Sequence, residues 1–306
     1  MVSSVGTKPK FNLTTHPTYH RLHHIELDQE SLKLFFEAVK EINVERIEYV
    51  PFERFYLAQQ LNEILGGNFQ ASVRKILHDR NTGGFTIGVQ GLTDNLDDYV
   101  KFSTALSHLV GVPNFDGMSG KYYARFNVKH SFESDTYLRQ AYRRFYLHTD
   151  GTFVNEQTDW LIMMKLEEQN AVGGESLLLH LDDWEDLEQF RNHPLANHPY
   201  EFTQKGRASK NVEDVVYNTT FYEHNHAPCI RFNDQCSVPY SIEQAKYHRD
   251  ISQSLEKSPN VKAVSLPVGD LIMLNNTFWL HGRDAFDRNE NLYRELLRQR
   301  GYFASI

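Results

Sequence analysis

The second half of the chain, from about residue 145 onward, consists of short apolar runs separated by turn residues. Strands of this length at regular spacing are typical of a β-sandwich or a β-barrel. This pattern restricts the architecture more than any other feature of the sequence. The predicted strands cover residues 160–166, 175–180, 215–222, 229–232, 263–266, 270–274 and 294–303, and helices are predicted over 182–191 and 242–256.

The first third of the chain has helical periodicity instead. Asp28 can cap a helix that continues to about Ile42, because apolar residues recur there at helical spacing. A second helix from Pro51 to Leu65 is predicted to end at a pair of glycines. A third helix over 94–110 and two short strands over 85–89 and 122–128 complete the predicted elements of this part.

No linker divides the chain, so residues 1–306 are predicted to form a single domain of the α+β class. Its core is predicted to be a double-stranded β-helix, the cupin-like jelly roll, with a mainly helical N-terminal layer packed on it. Residues 1–20 are polar and are predicted to form a loose N-terminal arm.

Charge and cysteine content exclude several classes of function. The formal net charge is −8 and no dense run of Lys or Arg occurs, so neither a nucleic acid nor an acidic membrane surface is an expected partner. No segment is apolar enough to span a membrane. The two cysteines, Cys229 and Cys236, argue against a disulfide scaffold or a thiolate metal site and favour the cytoplasm.

An imidazole and a carboxylate two residues apart are a candidate pair of metal ligands, because side chains on a strand repeat every two residues. Three H-x-acid matches occur, at His24, His148 and His180, whereas about two are expected by chance, so the match alone decides nothing. His24 precedes the first predicted helix, and Asp182 after His180 is predicted to cap a helix. His148 and Asp150 open the strand-rich part and are therefore the preferred pair.

His281 is the candidate third ligand, since it follows a tight turn and a buried apolar strand over 271–274. Two histidines and one carboxylate form the facial triad of non-haem Fe(II) sites, which leaves coordination positions open. Zinc would accept the same ligands. A zinc hydrolase, however, usually has a third nitrogen or sulfur ligand and a placed general base, and no H-E-x-x-H motif occurs.

The last predicted strand places arginines on one face. At period two, Arg294, Arg298 and Arg300 point the same way, and if that face looks inward the cavity gains guanidinium groups near His281. A guanidinium pairs bidentately with carboxylates, so Arg298 and Arg300 are candidate sites for small dicarboxylates. The alternative is a solvated basic strand end. Tyr123 and Arg125, on one face of an earlier strand, are weaker candidates for substrate contact, with a structural role as the alternative.

Several long segments in order resemble the carbon-starvation-induced Fe(II)/2-oxoglutarate dioxygenase family, whose characterised activity is glutarate 2-hydroxylation. The matching segments are Met118-Ser-Gly-Lys-Tyr-Tyr-Ala-Arg-Phe126, Tyr137-Leu-Arg-Gln140, Leu147-His-Thr-Asp-Gly-Thr152, Leu177-Leu-Leu-His-Leu-Asp-Asp-Trp184, Phe278-Trp-Leu-His-Gly-Arg-Asp284 and Arg294-Glu-Leu-Leu-Arg-Gln-Arg-Gly-Tyr-Phe303. The likeness covers most of the chain and is much more specific than any single H-x-D.

The resemblance implies an Fe(II) cofactor, 2-oxoglutarate as cosubstrate and O2 as oxidant. It places the iron ligands on His148, Asp150 and His281 and the carboxylate-binding arginines on Arg298 and Arg300. It also implies conversion of glutarate to L-2-hydroxyglutarate with release of succinate and CO2, in lysine or glutarate catabolism, by a homotetramer. Two alternatives remain: the same oxygenase fold acting on another small carboxylic acid, and a non-catalytic cupin-like metal-binding protein.

Overall fold

Two β-sheets and a layer of N-terminal helices make up most of the structure. A computed structural model describes residues 9–117, 119–130, 139–203 and 215–304. The α-helices are α1 (Gln29–Val39), α2 (Val44–Tyr49), α3 (Pro51–Ile64), α4 (Phe69–His78), α5 (Leu96–Val110), α6 (Leu187–Arg191) and α7 (Ile242–Lys257), with 3-10 turns at Leu181–Asp183 and Pro194–Asn197. No helix in the described part of the chain combines the length and the apolar character needed to cross a bilayer.

In the described part of the chain, the strands form an eight-stranded major sheet, a four-stranded minor sheet, a three-stranded sheet of β10, β9 and β13, and the pair β11–β12. They are β1 (Phe11–Thr15), β2 (His23–Leu27), β3 (Gly84–Gly88), β4 (Gly111–Pro113), β5 (Ala124–Lys129), β6 (Phe145–His148), β7 (Trp160–Gln169), β8 (Ser176–His180), β9 (Tyr200–Thr203), β10 (Val215–Asn218), β11 (Phe221–His224), β12 (Ala227–Ile230), β13 (Ser237–Val238), β14 (Lys262–Val264), β15 (Asp270–Asn275), β16 (Trp279–Arg283) and β17 (Tyr293–Phe303). The major sheet has the order β1-β2-β3-β15-β7-β17-β4, with β5 also paired to β17. The minor sheet has the order β14-β8-β16-β6.

Helices α1 and α3 begin and end where the sequence indicates. The Asp28 side chain accepts a hydrogen bond from the backbone N–H of Ser31 at 3.1 Å and so caps α1. Helix α3 starts at Pro51, whose missing N–H costs nothing in the first turn. It ends at Gly66, whose φ of 96° lies in the left-handed region that glycine adopts without strain. The predicted helices over 28–42, 51–65, 94–110 and 242–256 are thus confirmed in α1, α3, α5 and α7.

The two faces of the major sheet enter two different cores. Along β15, Leu271 and Met273 join a helix-side core that also contains residues of α1, α3 and α5. Ile272 and Leu274 join an inter-sheet core that also contains residues of β8 and β16. Because strand side chains alternate, one face of the sheet supports the helical layer and the other faces the minor sheet. The α+β class with a helical N-terminal layer is therefore observed.

Three predicted elements differ from the structure. Residues 11–15, expected in a loose arm, form β1 at the edge of the major sheet, where they pair with β2; residues 1–8 lie outside the described part. The predicted strand over 215–222 is two strands, β10 and β11. The predicted helix over 182–191 is a 3-10 turn followed by the short helix α6.

Candidate metal centre

Two adjacent strands of the minor sheet bring two histidines side by side. Strands β6 and β16 are antiparallel neighbours, and His148 stands directly opposite His281 in their register. Asp150 lies in the turn just after β6. The Oδ1 atom of Asp150 is 3.6 Å from Nε2 of His148 and 3.8 Å from Nε2 of His281. All three side chains are buried, and among the described residues they form a group that could hold a metal ion.

The hydrogen bonding of His148 and the charge states of His281 and Asp150 suit metal binding. The Nδ1 atom of His148 lies 2.9 Å from the carbonyl oxygen of Tyr146, and donation to that carbonyl leaves the Nε2 lone pair facing Asp150. Burial lowers the pKa of His281 to about 3, so its imidazole is neutral. Burial alone would raise the pKa of Asp150, but Arg298 and the two histidines outweigh that effect and hold the pKa well below its usual range.

These donors fit a ferrous ion. Two imidazole nitrogens and one carboxylate oxygen lie close together, which is the donor set of the two-His-one-carboxylate triad. The buried Nδ1 of His281 has no hydrogen-bond partner among the described residues. Burial keeps this ring neutral, and its other nitrogen, Nε2, faces the Asp150 carboxylate at 3.8 Å.

Arg298 lies on the inter-sheet face of β17, beside the triad. Its Nη1 atom is 3.0 Å from Oδ2 of Asp150, and its Nη2 donates to Oδ2 of Asp116 at 3.1 Å. The guanidinium also lies over the ring of Phe126, 4.7 Å from its centroid. Arg298 thus engages the Asp150 oxygen that lies away from the imidazoles, while Oδ1 remains the atom nearest to both rings.

Arg300 lies on the same face of β17 but has a different environment. Its side chain is 9% exposed, and its buried Nε has no hydrogen-bond partner among the described residues. Burial and the neighbouring Arg298 lower its pKa. A buried guanidinium nitrogen without a hydrogen-bond partner is destabilising, which distinguishes Arg300 from the paired Arg298.

Tyr123 and Arg125 lie on the opposite face of this sheet. In the register of β5 and β17, Arg125 stands opposite Leu297, a residue of the helix-side core, and not opposite Arg298. Arg125 makes a bidentate ion pair with Glu295, at 2.8 and 2.7 Å. The hydroxyl of Tyr123 donates to Glu48 on α2 at 2.5 Å. In this structure both side chains make contacts on the helix side that suit the structural role given as their alternative.

The other two H-x-acid matches lie apart from the triad. Nδ1 of His24 is 2.9 Å from the hydroxyl of Thr86. His180, not Asp182, caps the following 3-10 turn, because its Nδ1 accepts from the N–H of Asp182 at 3.1 Å. The carboxylate of Asp182 pairs with both Nε and Nη2 of Arg80. The prediction that Asp182 caps a helix was wrong, since a distant arginine holds its side chain.

Two residues of the site were missed by the sequence analysis. Asp116 is buried and holds Arg298 in place, and Asn276 bonds to the backbone of Asp150. Neither has a local sequence signal, because each meets its partner only after the sheets form. Asp150 itself was expected on the strand of His148, but β6 ends at His148, so strand alternation does not set its position.

Solved structures with a similar fold are non-haem iron oxygenases. Asparagine oxygenase in complex with Fe(II), 2S,3S-3-hydroxyasparagine and succinate has a TM-score of 0.70 at 12% identity, covering 90% of this chain and 92% of that one. The non-haem iron oxygenase OrfP in complex with Fe and alpha-ketoglutaric acid has a TM-score of 0.68 at 17% identity, covering 93% of each chain. The fold is that of the non-haem iron oxygenases.

Sequence comparison narrows this class to one family. The CsiD family model matches residues 11–303. Glutarate 2-hydroxylase from Citrobacter koseri is 44% identical over 287 residues, which cover 93% of this chain and 88% of that protein. The chain belongs to the CsiD family.

Proposed function

We propose that this protein is an Fe(II)- and 2-oxoglutarate-dependent oxygenase that hydroxylates glutarate at carbon 2. In the balanced reaction, glutarate, 2-oxoglutarate and O2 give 2-hydroxyglutarate, succinate and CO2. The observation that carries the proposal is the convergence of His148, Asp150 and His281 beside Arg298 and Arg300. The 44% identity to a glutarate 2-hydroxylase supports the choice of substrate.

In this proposal Nε2 of His148, Oδ1 of Asp150 and Nε2 of His281 hold the ferrous ion. Three protein ligands leave positions for a chelating 2-oxo acid and for oxygen. When bound, iron with its cosubstrate supplies the oxidising chemistry, and the protein supplies orientation and charge. Arg298 contributes to the orientation, because its contact with Oδ2 keeps the Asp150 carboxylate turned with Oδ1 toward the imidazoles.

The arginines would neutralise the ends of the dicarboxylates that lie away from the metal. Arg300 is the stronger candidate, because it is buried and its Nε lacks a hydrogen-bond partner within the described residues. Arg298 already contacts two carboxylates, of Asp116 and Asp150. An incoming carboxylate would therefore gain a charge-assisted bond at Arg300 without displacing an acidic side chain of the described residues.

We further propose that the major and minor sheets together form the double-stranded β-helix expected from the sequence. The inter-sheet core lies between them, and the triad lies on the minor sheet. The remaining implications of the family resemblance, a homotetramer acting in lysine or glutarate catabolism in the cytoplasm, stay predictions.

The test is anaerobic loading of the purified protein with Fe(II), 2-oxoglutarate and glutarate, followed by oxygen and identification of products by mass spectrometry. We expect 2-hydroxyglutarate and succinate in equal amounts. Succinate formed equally with and without glutarate would contradict the choice of substrate and lead to a screen of other small acids. Binding of Fe(II) without any turnover of 2-oxoglutarate, whatever the acid supplied, would instead support a non-catalytic metal-binding protein.

A further inference from the structure

A buried asparagine connects the strand of one candidate ligand to the backbone of another. Asn276 lies in the turn between β15 and β16, the strand that carries His281, and is 4% exposed. Its Oδ1 accepts from the backbone N–H of Asp150 at 2.8 Å. Its Nδ2 donates to the carbonyl oxygens of Asp150 at 3.0 Å and of Thr158 at 2.9 Å. One side chain thus binds both backbone groups of Asp150.

Asp150 needs such a contact because the β6–β16 ladder ends before it. His148 is held by its place opposite His281, and Thr149 is held by three hydrogen bonds with Phe232. The next residue, Gly151, has a φ of 75°, so the chain turns sharply away after Asp150. The Asp150 backbone is therefore at the point where the strand becomes a loop, and both of its hydrogen bonds come from Asn276.

We infer that Asn276 is a positioning residue for the metal, and the inference rests on the proposed Fe(II) site. It fixes the main chain of Asp150 in one conformation. Oδ1 is therefore already placed near the two imidazole nitrogens before the metal binds. Groups that orient metal ligands from outside the coordination sphere typically change metal affinity by about 10- to 100-fold when removed. Asn276 contacts the ligand's backbone, while Arg298, itself bonded to Asp116, contacts the same ligand's carboxylate.

The chemistry of the contact requires an amide. The oxygen end of the side chain faces an N–H, and the nitrogen end faces two carbonyl oxygens. Asn276→Asp keeps the size but sets a carboxylate oxygen against those carbonyls, so it removes two of three bonds and adds repulsion. Asn276→Ala removes all three. A cavity of about 720 Å³ borders Asn276, Asp150 and Thr158, so water can reach the freed groups and the variants are expected to fold.

The chain offers a matched control in the preceding residue. Asn275 is also buried, at 6% exposure, and also makes three side-chain hydrogen bonds. Its Nδ2 donates to Leu77, and its Oδ1 accepts from the backbone and hydroxyl of Thr277. None of these partners belongs to the loop of Asp150. Asn275→Ala therefore reproduces the loss of a buried amide without touching the metal ligand.

The experiment measures anaerobic Fe(II) affinity by equilibrium dialysis and, separately, the melting temperature of the metal-free protein. We expect Asn276→Ala and Asn276→Asp to weaken Fe(II) binding by about 10- to 100-fold, while Asn275→Ala stays within about threefold of the unmodified chain at a similar loss of melting temperature. Activity of the Asn276 variants is expected to recover at saturating Fe(II).

Each other outcome overturns the inference. Equal losses of affinity in the Asn275 and Asn276 variants would mean that buried amides act only through general stability, and unchanged affinity in both Asn276 variants would remove the positioning role. Failure of both Asn276 variants to fold would assign Asn276 to the fold instead. If the unmodified chain itself bound no Fe(II), the proposed function would be wrong. That outcome is distinct from a failure of the Asn276 inference alone, in which the unmodified chain binds Fe(II) normally.

Discussion

The two faces of the major sheet share one set of strands but differ in chemistry. On the helix side, β17 contributes Leu297 to an apolar core, and the charged neighbour Glu295 is paired with Arg125. On the inter-sheet side, the same strand presents Arg298 and Arg300 beside the triad. Arg125 and Glu295 on the first face neutralise each other, whereas on the second face the buried Nε of Arg300 has no hydrogen-bond partner among the described residues. The comparison teaches that burial of a charged side chain does not by itself indicate its role, and that the partners of each buried polar atom have to be compared as well.

The largest effect is expected from the triad. His281→Ala should abolish turnover and weaken Fe(II) binding by more than about 100-fold, beyond the range for a residue outside the coordination sphere. The control is His180→Ala, because His180 is an equally buried histidine on the adjacent strand β8 but bonds to a backbone N–H. Fe(II) dialysis checks both. Normal iron binding by His281→Ala would show that the inter-sheet face carries no metal site.

The next effect concerns the helix-side face. Leu297 is fully buried, so Leu297→Ala should lower the free energy of unfolding by about 2–5 kcal/mol through lost burial and the cavity left behind. We expect the KM values of the folded variant for 2-oxoglutarate and glutarate to stay unchanged. Urea denaturation and steady-state kinetics measure the two quantities. A large change in either KM with little loss of stability would reverse the assignment of the two faces.

Arg300→Leu should give the opposite pattern. Loss of a charge-assisted bond of about 1.5–3 kcal/mol raises the KM for one dicarboxylate by about 10- to 100-fold. The free energy of unfolding should not fall, because the substitution removes a buried cation whose Nε has no hydrogen-bond partner among the described residues. Kinetics with each dicarboxylate varied in turn, together with urea denaturation, test this. A destabilised variant with normal KM values would make Arg300 structural.

The smallest expected effect is a dependence of stability on pH that arises from a histidine on the helix side. His108 on α5 is buried on the helix side, where burial lowers its pKa to about 4 from the usual 6.5. The unfolded chain therefore binds a proton more readily than the folded chain between these values, so stability is intact above pH 6.5 and falls as the pH drops toward 4. The expected slope is at most about 1.4 kcal/mol per pH unit. Urea denaturation at several pH values should show a shallower slope in His108→Gln; an identical slope would contradict this origin.

Much of this arrangement could be predicted because it follows local rules. The cap at Asp28, the glycine end of α3 and the period-two face of β17 depend on neighbouring residues alone. The three candidate ligands were also selected from sequence, although strand alternation does not explain Asp150. Helix α4 had an available signal, since Phe69, Val73 and Ile76 recur at helical spacing, but it was not predicted.

The parts that could not be predicted depend on partners far along the chain. Asp182 resembles a helix cap until Arg80, from the other half of the molecule, binds its carboxylate. Asn276 looks like an ordinary turn residue until the loop after β6 lies against it. Strand β1 is almost wholly exposed at a sheet edge, so its composition resembles that of a loose arm and only pairing with β2 orders it.

The cross-strand pairing of His148 with His281 has a consequence for how this fold can diversify. Neighbouring strands in any sheet lie about 4.8 Å apart. Backbone hydrogen bonding therefore sets the separation of these two imidazoles, and no loop of particular sequence is required. Loops around the minor sheet can then change in length and composition while the histidine pair keeps its spacing. New substrates become accessible by altering the surroundings of an unchanged pair of nitrogens.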